Sequence, residues 1–84
     1  MEIERFIDLF AAEFDETDRS AFTAETEFKA LEEWNSMLVM VIMTMVDSEY
    51  GVTLKANDLK KAVTIKDLFE TILAYRTNSA ENLT

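Results

Sequence analysis

Asn35-Ser36-Met37-Leu38-Val39-Met40-Val41-Ile42-Met43-Thr44-Met45-Val46-Asp47-Ser48-Glu49-Tyr50-Gly51 is the stretch that decides the fold of this chain. Asn and Ser are strong N-cap residues, and no helix breaker follows them until Gly51, which suits the left-handed position that closes a helix. A helix from Asn35 or Ser36 to about Tyr50 is predicted. At about 100° per residue, Val39, Ile42, Met43, Val46 and Tyr50 share one stripe, the natural core side. The opposite side should be polar. Instead it carries Met37, Leu38, Val41 and Met45, softened only by Thr44 and Ser48, and Asp47 and Glu49 are the only charges between Ser36 and Tyr50. A helix apolar nearly all round is either buried on every side or touches a partner. In 84 residues there are few elements to cover a second face, and four of the five Met stand in this helix. Flexible thioethers suit a surface that must adapt to different partners. A partner-facing role is expected for Met37, Leu38, Val41 and Met45, against the plainer reading of a fully enclosed central helix.

On the N-terminal side, Ile3, Phe6, Ile7, Phe10, Ala11 and Phe14 follow the i, i+3, i+4, i+7, i+8, i+11 spacing of an amphipathic helix. From Asp15 to Asn35 that period fades into a long loop. Loops of this length are unusual in a small domain, so its aromatics should pack back on the helices, through a short turn near Phe28 to Glu33. On the C-terminal side, Val52 to Leu54 leads to Asn57-Asp58-Leu59-Lys60-Lys61-Ala62, which suits one or two helical turns. Thr64 and Asp67 have capping-box spacing, and Ile65, Leu68, Phe69, Ile72 and Leu73 repeat the helical stripe. Residues 77–84 hold too few apolar side chains to be tied down, so a frayed tail is expected after a single domain over residues 1–76. No strand-like alternation occurs. The expected fold is all-α: a small irregular bundle of three main helices with a short helix before the last.

Composition narrows the function. There is no His and no Cys, hence no disulfide, no thiolate nucleophile, no imidazole base and no ordinary zinc or haem site. Only carboxylates and hydroxyls remain, so self-contained catalysis is not expected. Seventeen Asp and Glu against eight Lys and Arg give a net charge of −9, a balance that opposes nucleic acid and anionic lipid. The acidity is concentrated ahead of the second helix: eleven acids and three bases up to Asn35, six and five beyond it. Solvation of an exposed face is the usual meaning of such an excess; steering towards basic partners is the functional one. Asp15 to Asp18 lacks the alternating ligands, Gly and closing Glu of a calcium loop. The start, Met1-Glu2-Ile3-Glu4, is unlike a secretory signal, and the apolar run Met37 to Met43 falls far short of the ~20 residues of a membrane span. A cytoplasmic monomer is expected.

Three stretches then converge: Trp34-Asn35-Ser36 entering the second helix, Asp47-Ser48-Glu49-Tyr50-Gly51-Val52-Thr53-Leu54 leaving it, and Thr64-Ile65-Lys66-Asp67-Leu68 opening the last. Together they resemble an acyl carrier protein over roughly Phe28 to Tyr75. In that family an Asp-Ser-Leu signature opens the second helix, and its Ser receives 4'-phosphopantetheine from coenzyme A through a Mg2+-dependent transferase. The resemblance implies Ser36 as the attachment site. It further implies partners of two kinds, a phosphopantetheinyl transferase and acyl-transferring or chain-extending enzymes, for a thioester-bound cargo of fatty acid or polyketide type. Their contacts would fall on Asn35, Met37, Leu38, Val41, Thr44 and Met45. The chemistry suits the place, since a helix N-terminus favours a phosphate by about 0.3–1 kcal/mol. Asn35 stands where the family has Asp and Met37 where it has Leu, and Leu38 and Val41 occupy positions at which the family commonly shows carboxylates. A more apolar docking surface is therefore expected. The family's acyl chain retreats between the helices, where Met40, Met43, Val46, Leu59, Ala62, Ile65 and Leu68 are expected as walls. The competing reading is an unmodified helical interaction module that uses the apolar outer face of the second helix.

Overall fold

In the computed structural model, α1 (Glu2–Ala11) buries Phe6, Ile7, Phe10 and Ala11, the stripe read from the sequence. The structure describes residues 2–82, with side chains through Thr77. Phe14, the last member of the stripe, lies beyond the helix. The chain reaches it through tight turns in which Glu13 N–H donates to the Phe10 carbonyl (3.2 Å) and Phe14 N–H to that of Ala11 (3.0 Å). Phe14 is buried all the same.

The long connection from residue 15 to residue 35 contains two short 3-10 turns, Arg19–Ala21 and Phe28–Ala30. The second falls where a turn is predicted; the first has no apolar period to announce it. The aromatics do pack back. Phe22 and Phe28 are buried, and Trp34 lies parallel to Phe10 (6.3 Å between centroids, 8° between planes) and edge-on to Phe28 at 5.0 Å. Each such pair adds about 0.5–1.5 kcal/mol to the burial itself. Polar ties complete the loop. Arg19 donates twice to Asp8 Oδ1 (2.6 and 3.0 Å) and once to the Phe22 carbonyl (2.9 Å). The Glu33 carboxylate accepts from the Asp15 and Glu16 amides (2.8 and 3.1 Å) and from the Thr17 hydroxyl (2.8 Å).

α2 (Ser36–Tyr50) begins and ends as predicted, with Gly51 closing it at φ 67°. After α3 (Ala56–Lys61), α4 (Ile65–Asn82) opens on the expected box: Thr64 Oγ1 accepts from Asp67 N–H (3.1 Å), and Asp67 Oδ2 accepts from the Thr64 and Val63 amides (3.0 and 3.1 Å). Two further amides at this start, those of Ile65 and Lys66, donate to the Thr26 and Ala24 carbonyls of the long connection (3.1 and 2.9 Å). A helix end that would otherwise lack partners thus holds the loop in place. Tyr75 Oη donates to Asp58 Oδ2 (2.8 Å) and ties α4 to α3. The apolar stripe of the last helix runs out near Arg76, yet its backbone stays helical to Asn82; residues 83 and 84 of the expected tail lie outside the described residues.

Helices alone make up the regular structure of the described residues, so the fold is the all-α bundle expected. Ile42, Val46, Leu54, Ile65, Leu68 and Ile72 fill its centre, with Phe6 stacked on Phe69 and edge-on to Tyr50. None of the described helices is long and apolar enough to cross a membrane.

Phe10 contacts five other aromatic rings, so Phe10→Ala is expected to cost about 3–5 kcal/mol in urea unfolding, a large share of a small domain's stability. A pH effect also follows. Desolvation pushes the Glu33 carboxyl up, but the Thr17 hydroxyl and the loop amides outweigh it and hold the pKa below the ordinary 4.5; the Thr64 and Val63 amides hold Asp67 below 3.8. Both carboxylates titrate lower in the folded than in the unfolded chain. Their contribution is therefore complete above those ordinary values and disappears as pH falls through the folded ones. The urea midpoint should drop through this range, and the drop should be shallower in Glu33→Gln.

Candidate functional site

The start of α2 is built by Asn35. Its backbone is extended (φ −156°, ψ 178°), its Oδ1 accepts from Leu38 N–H at 3.0 Å, and its carbonyl accepts from Val39 N–H at 3.2 Å. Asn35 is thus the cap, and Ser36, exposed at the first helical position, keeps its hydroxyl outside that duty. The Ser36 and Met37 amides find no backbone acceptor among the described residues, as expected of the first amides of a helix. They are donors at the positive end of the dipole. No acid stands in the first turn, and the Glu33 carboxylate is turned to the 15–17 loop. A phosphate ester on Ser36 would thus meet free amides and no carboxylate from the helix's own first turn. The residues present fit such a group.

Beyond Ser36 the structure rotates the face expected to look outward. Met37 and Met40 are 73% and 70% exposed, Thr44 is exposed and Val41 half-buried. Leu38 and Met45, expected on the partner side, are only 8% and 7% exposed and belong to the core. Met40, expected as a wall of the interior, faces solvent. The shift has a simple cause: the buried arc of α2 is centred on Ile42 and Val46 and widens towards Leu38 and Met45. Leu38 shares a cleft with Ala12, Glu13 and Asp15, the chain leaving α1. Val39 and Met43, read as core-facing, are half-buried on the other edge of the arc. An alternation of Met, Val, Leu and Ile carries no marker of phase, so the sequence could not show which way the helix is turned.

Two further recesses flank the helix. A shallow trough of about 660 Å3 runs along the outer face from Met37 past Met40, Val41 and Thr44 to Ser48, with Met45 at its base and Glu13 on its rim. A smaller cleft of about 140 Å3 lies between α2 and α3, lined by Val39, Leu59, Ala56 and Trp34; Lys29 Nζ donates to the Lys60 carbonyl across two of its lining residues (2.6 Å). Of the expected interior walls, Val46, Leu59, Ala62, Ile65 and Leu68 are buried, and Met43 is half-buried. At the far end of α2, Glu49 pairs with Arg5 at 2.8 Å.

The geometry is that of a small helical bundle with an exposed hydroxyl at the start of its second helix. The chain belongs to the family described as "phosphopantetheine attachment site", whose family model matches residues 4–72. Domains of this family are carriers, not enzymes, and hold 4'-phosphopantetheine covalently. Neither the curated proteins nor the solved structures yield a match.

Because the cap is a neutral side-chain oxygen, its effect can be separated from charge. Asn35→Ala should cost about 1 kcal/mol in urea unfolding, and Asn35→Asp, which caps equally well, should leave stability within a few tenths of that of the parent.

Proposed function

We propose that Ser36 Oγ is the attachment point of 4'-phosphopantetheine, and that the chain is an acyl carrier protein that holds a biosynthetic intermediate and presents it to separate enzymes. The observation that carries this reading is the division of labour at the start of α2, where Asn35 makes the cap and Ser36 stays exposed. When bound, the arm supplies the thiol that holds an acyl group as a thioester. The chain's own part is modest. Ser36 offers an oxygen that need not be a strong nucleophile, since the transferase supplies the activation, and the amides of the first turn favour the phosphodiester. The cleft beside Val39 and Leu59 has room for a short stretch of acyl chain, and the trough side of α2 is free for partners. Those partners are a phosphopantetheinyl transferase and acyl-transferring or chain-extending enzymes of fatty acid or polyketide type, met by a monomer in the cytoplasm.

The second reading, an unmodified interaction module, is favoured by one observation, the exposure of Met37 and Met40. One experiment separates the two. On incubation with coenzyme A, Mg2+ and a broad-specificity phosphopantetheinyl transferase, the protein should gain the mass of one phosphopantetheinyl group, Ser48→Ala should gain it too, and Ser36→Ala should not. An unchanged mass with every transferase tried favours the module.

A further inference from the structure

We propose that the cleft between α2 and α3 selects the cargo by charge, taking a short acyl chain whose far end is a carboxylate and holding that end by the ammonium groups of Lys29 and Lys60; the proposal rests on the carrier reading of Ser36. The three arginines and five lysines of the chain are used differently. Each arginine faces an acid, Arg5 with Glu49 at 2.8 Å, Arg19 with Asp8 at 2.6 Å and Arg76 with Glu2 at 4.0 Å, whereas no lysine is in an ion pair among the described residues. Lys55, Lys60, Lys61 and Lys66 lie on α3 or beside it, and Lys29 is brought to the same place by the hydrogen bond from its Nζ to the Lys60 carbonyl (2.6 Å). That bond engages one of the three ammonium protons. The one acid between Lys55 and Lys66 is Asp58, and its Oδ2 already accepts from the Lys55 amide and the Tyr75 hydroxyl, both at 2.8 Å. A chain of net charge −9 thus keeps a basic edge around one short helix.

The cleft is where this edge meets an apolar recess. Trp34, Val39, Ala56 and Leu59 supply the apolar wall, Lys29 and Lys60 supply the charge, and no acid lines it. Glu33, close to Lys29 in the chain, is turned to the 15–17 loop. Trp34 and Val39 stand two residues before and three after Ser36, so the recess lies within a helical turn of the attachment residue. At about 30 Å3 for a group the size of a water, a cleft of about 140 Å3 holds four or five such groups, enough for the two methylenes and the carboxylate of a four-carbon acyl group. Three classes of cargo differ in what they meet there. A methyl-ended chain satisfies the walls and leaves both ammonium groups to water. An aminoacyl group sets a like charge beside them. A carboxylate-ended chain satisfies walls and cations together, in a partly apolar surround where their attraction is screened less than in open water.

The probes are the butanoyl and 3-carboxypropanoyl groups, transferred to the carrier from coenzyme A analogues in which an amide replaces the thioester, with 13C at the terminal carbon. Intact mass confirms each load. On the parent, the terminal carboxylate should titrate about half a unit below the same arm free in solution, about a threefold change in proton affinity, and the difference should shrink as salt is added. Lys29→Met combined with Lys60→Met should abolish it, and Lys29→Arg combined with Lys60→Arg should keep it, since the cations remain. Both lysines are exposed, so the variants should fold, as circular dichroism would check. The Val39 and Leu59 amide resonances should move more for the carboxylate-ended group than for butanoyl. If the carrier loads but the carboxylate titrates as in the free arm, or the shift survives the two Met substitutions, the selection proposal is overturned and the carrier reading stands; the lysines then only solvate the rim. A 31P shift of the phosphodiester that depends on the same lysines in the unacylated carrier gives them to the arm's own phosphate, which also overturns it. A parent that never accepts an arm overturns both readings.

Discussion

The stack of Phe10, Phe14, Phe28 and Trp34 is the contact on which the rest of the molecule depends. It joins α1 to the end of the connection over residues 15–35, whose only regular structure is two 3-10 turns. Trp34 is the residue before the cap of α2. Seating its indole against Phe10 therefore sets where Asn35 turns the chain and where Ser36 emerges. The polar ties act in the same direction: Arg19 to Asp8, Glu33 to the 15–17 backbone, and the first amides of α4 to the carbonyls of Ala24 and Thr26. Few of these bonds would be worth much alone at the surface, but together they leave the loop few other paths.

The first turn of α2 carries no charge of its own. A neutral Asn performs the capping that an acid could perform, the first turn of α2 holds no carboxylate, and Glu33 spends its charge on the preceding loop. Acidity is placed elsewhere, chiefly along α1 and the long connection. The helix that carries Ser36 is thus left uncharged from Ser36 to Val46, with the thioethers of Met37 and Met40 exposed.

Much of this was legible in the sequence. The bounds of α2, the stripes of α1 and α4, the Thr64–Asp67 box and the return of the loop aromatics follow from periodicity and capping chemistry, which act between residues a few positions apart. The first 3-10 turn, at Arg19, did not follow, because three residues cannot display a period. Nor did the end of α4, which continues to Asn82 after its apolar stripe has lapsed. At the candidate site, the head of α2 was legible as a cap position, whereas the choice of Asn35 over Ser36 as the cap needed coordinates, since both residue types do that work equally well.

What the sequence determined by itself was the set of helices and the serine at the head of the second, because those depend on local propensities and spacing. What only the tertiary structure decided was the orientation of α2. Its side chains are apolar on nearly every side, so no periodic signal distinguishes in from out. Packing against the rest of the chain settles the question, placing Leu38 and Met45 in the core and Met37 and Met40 in water. Burial is a property of what else is nearby, and for a helix without a polar face that information lies in the remainder of the chain.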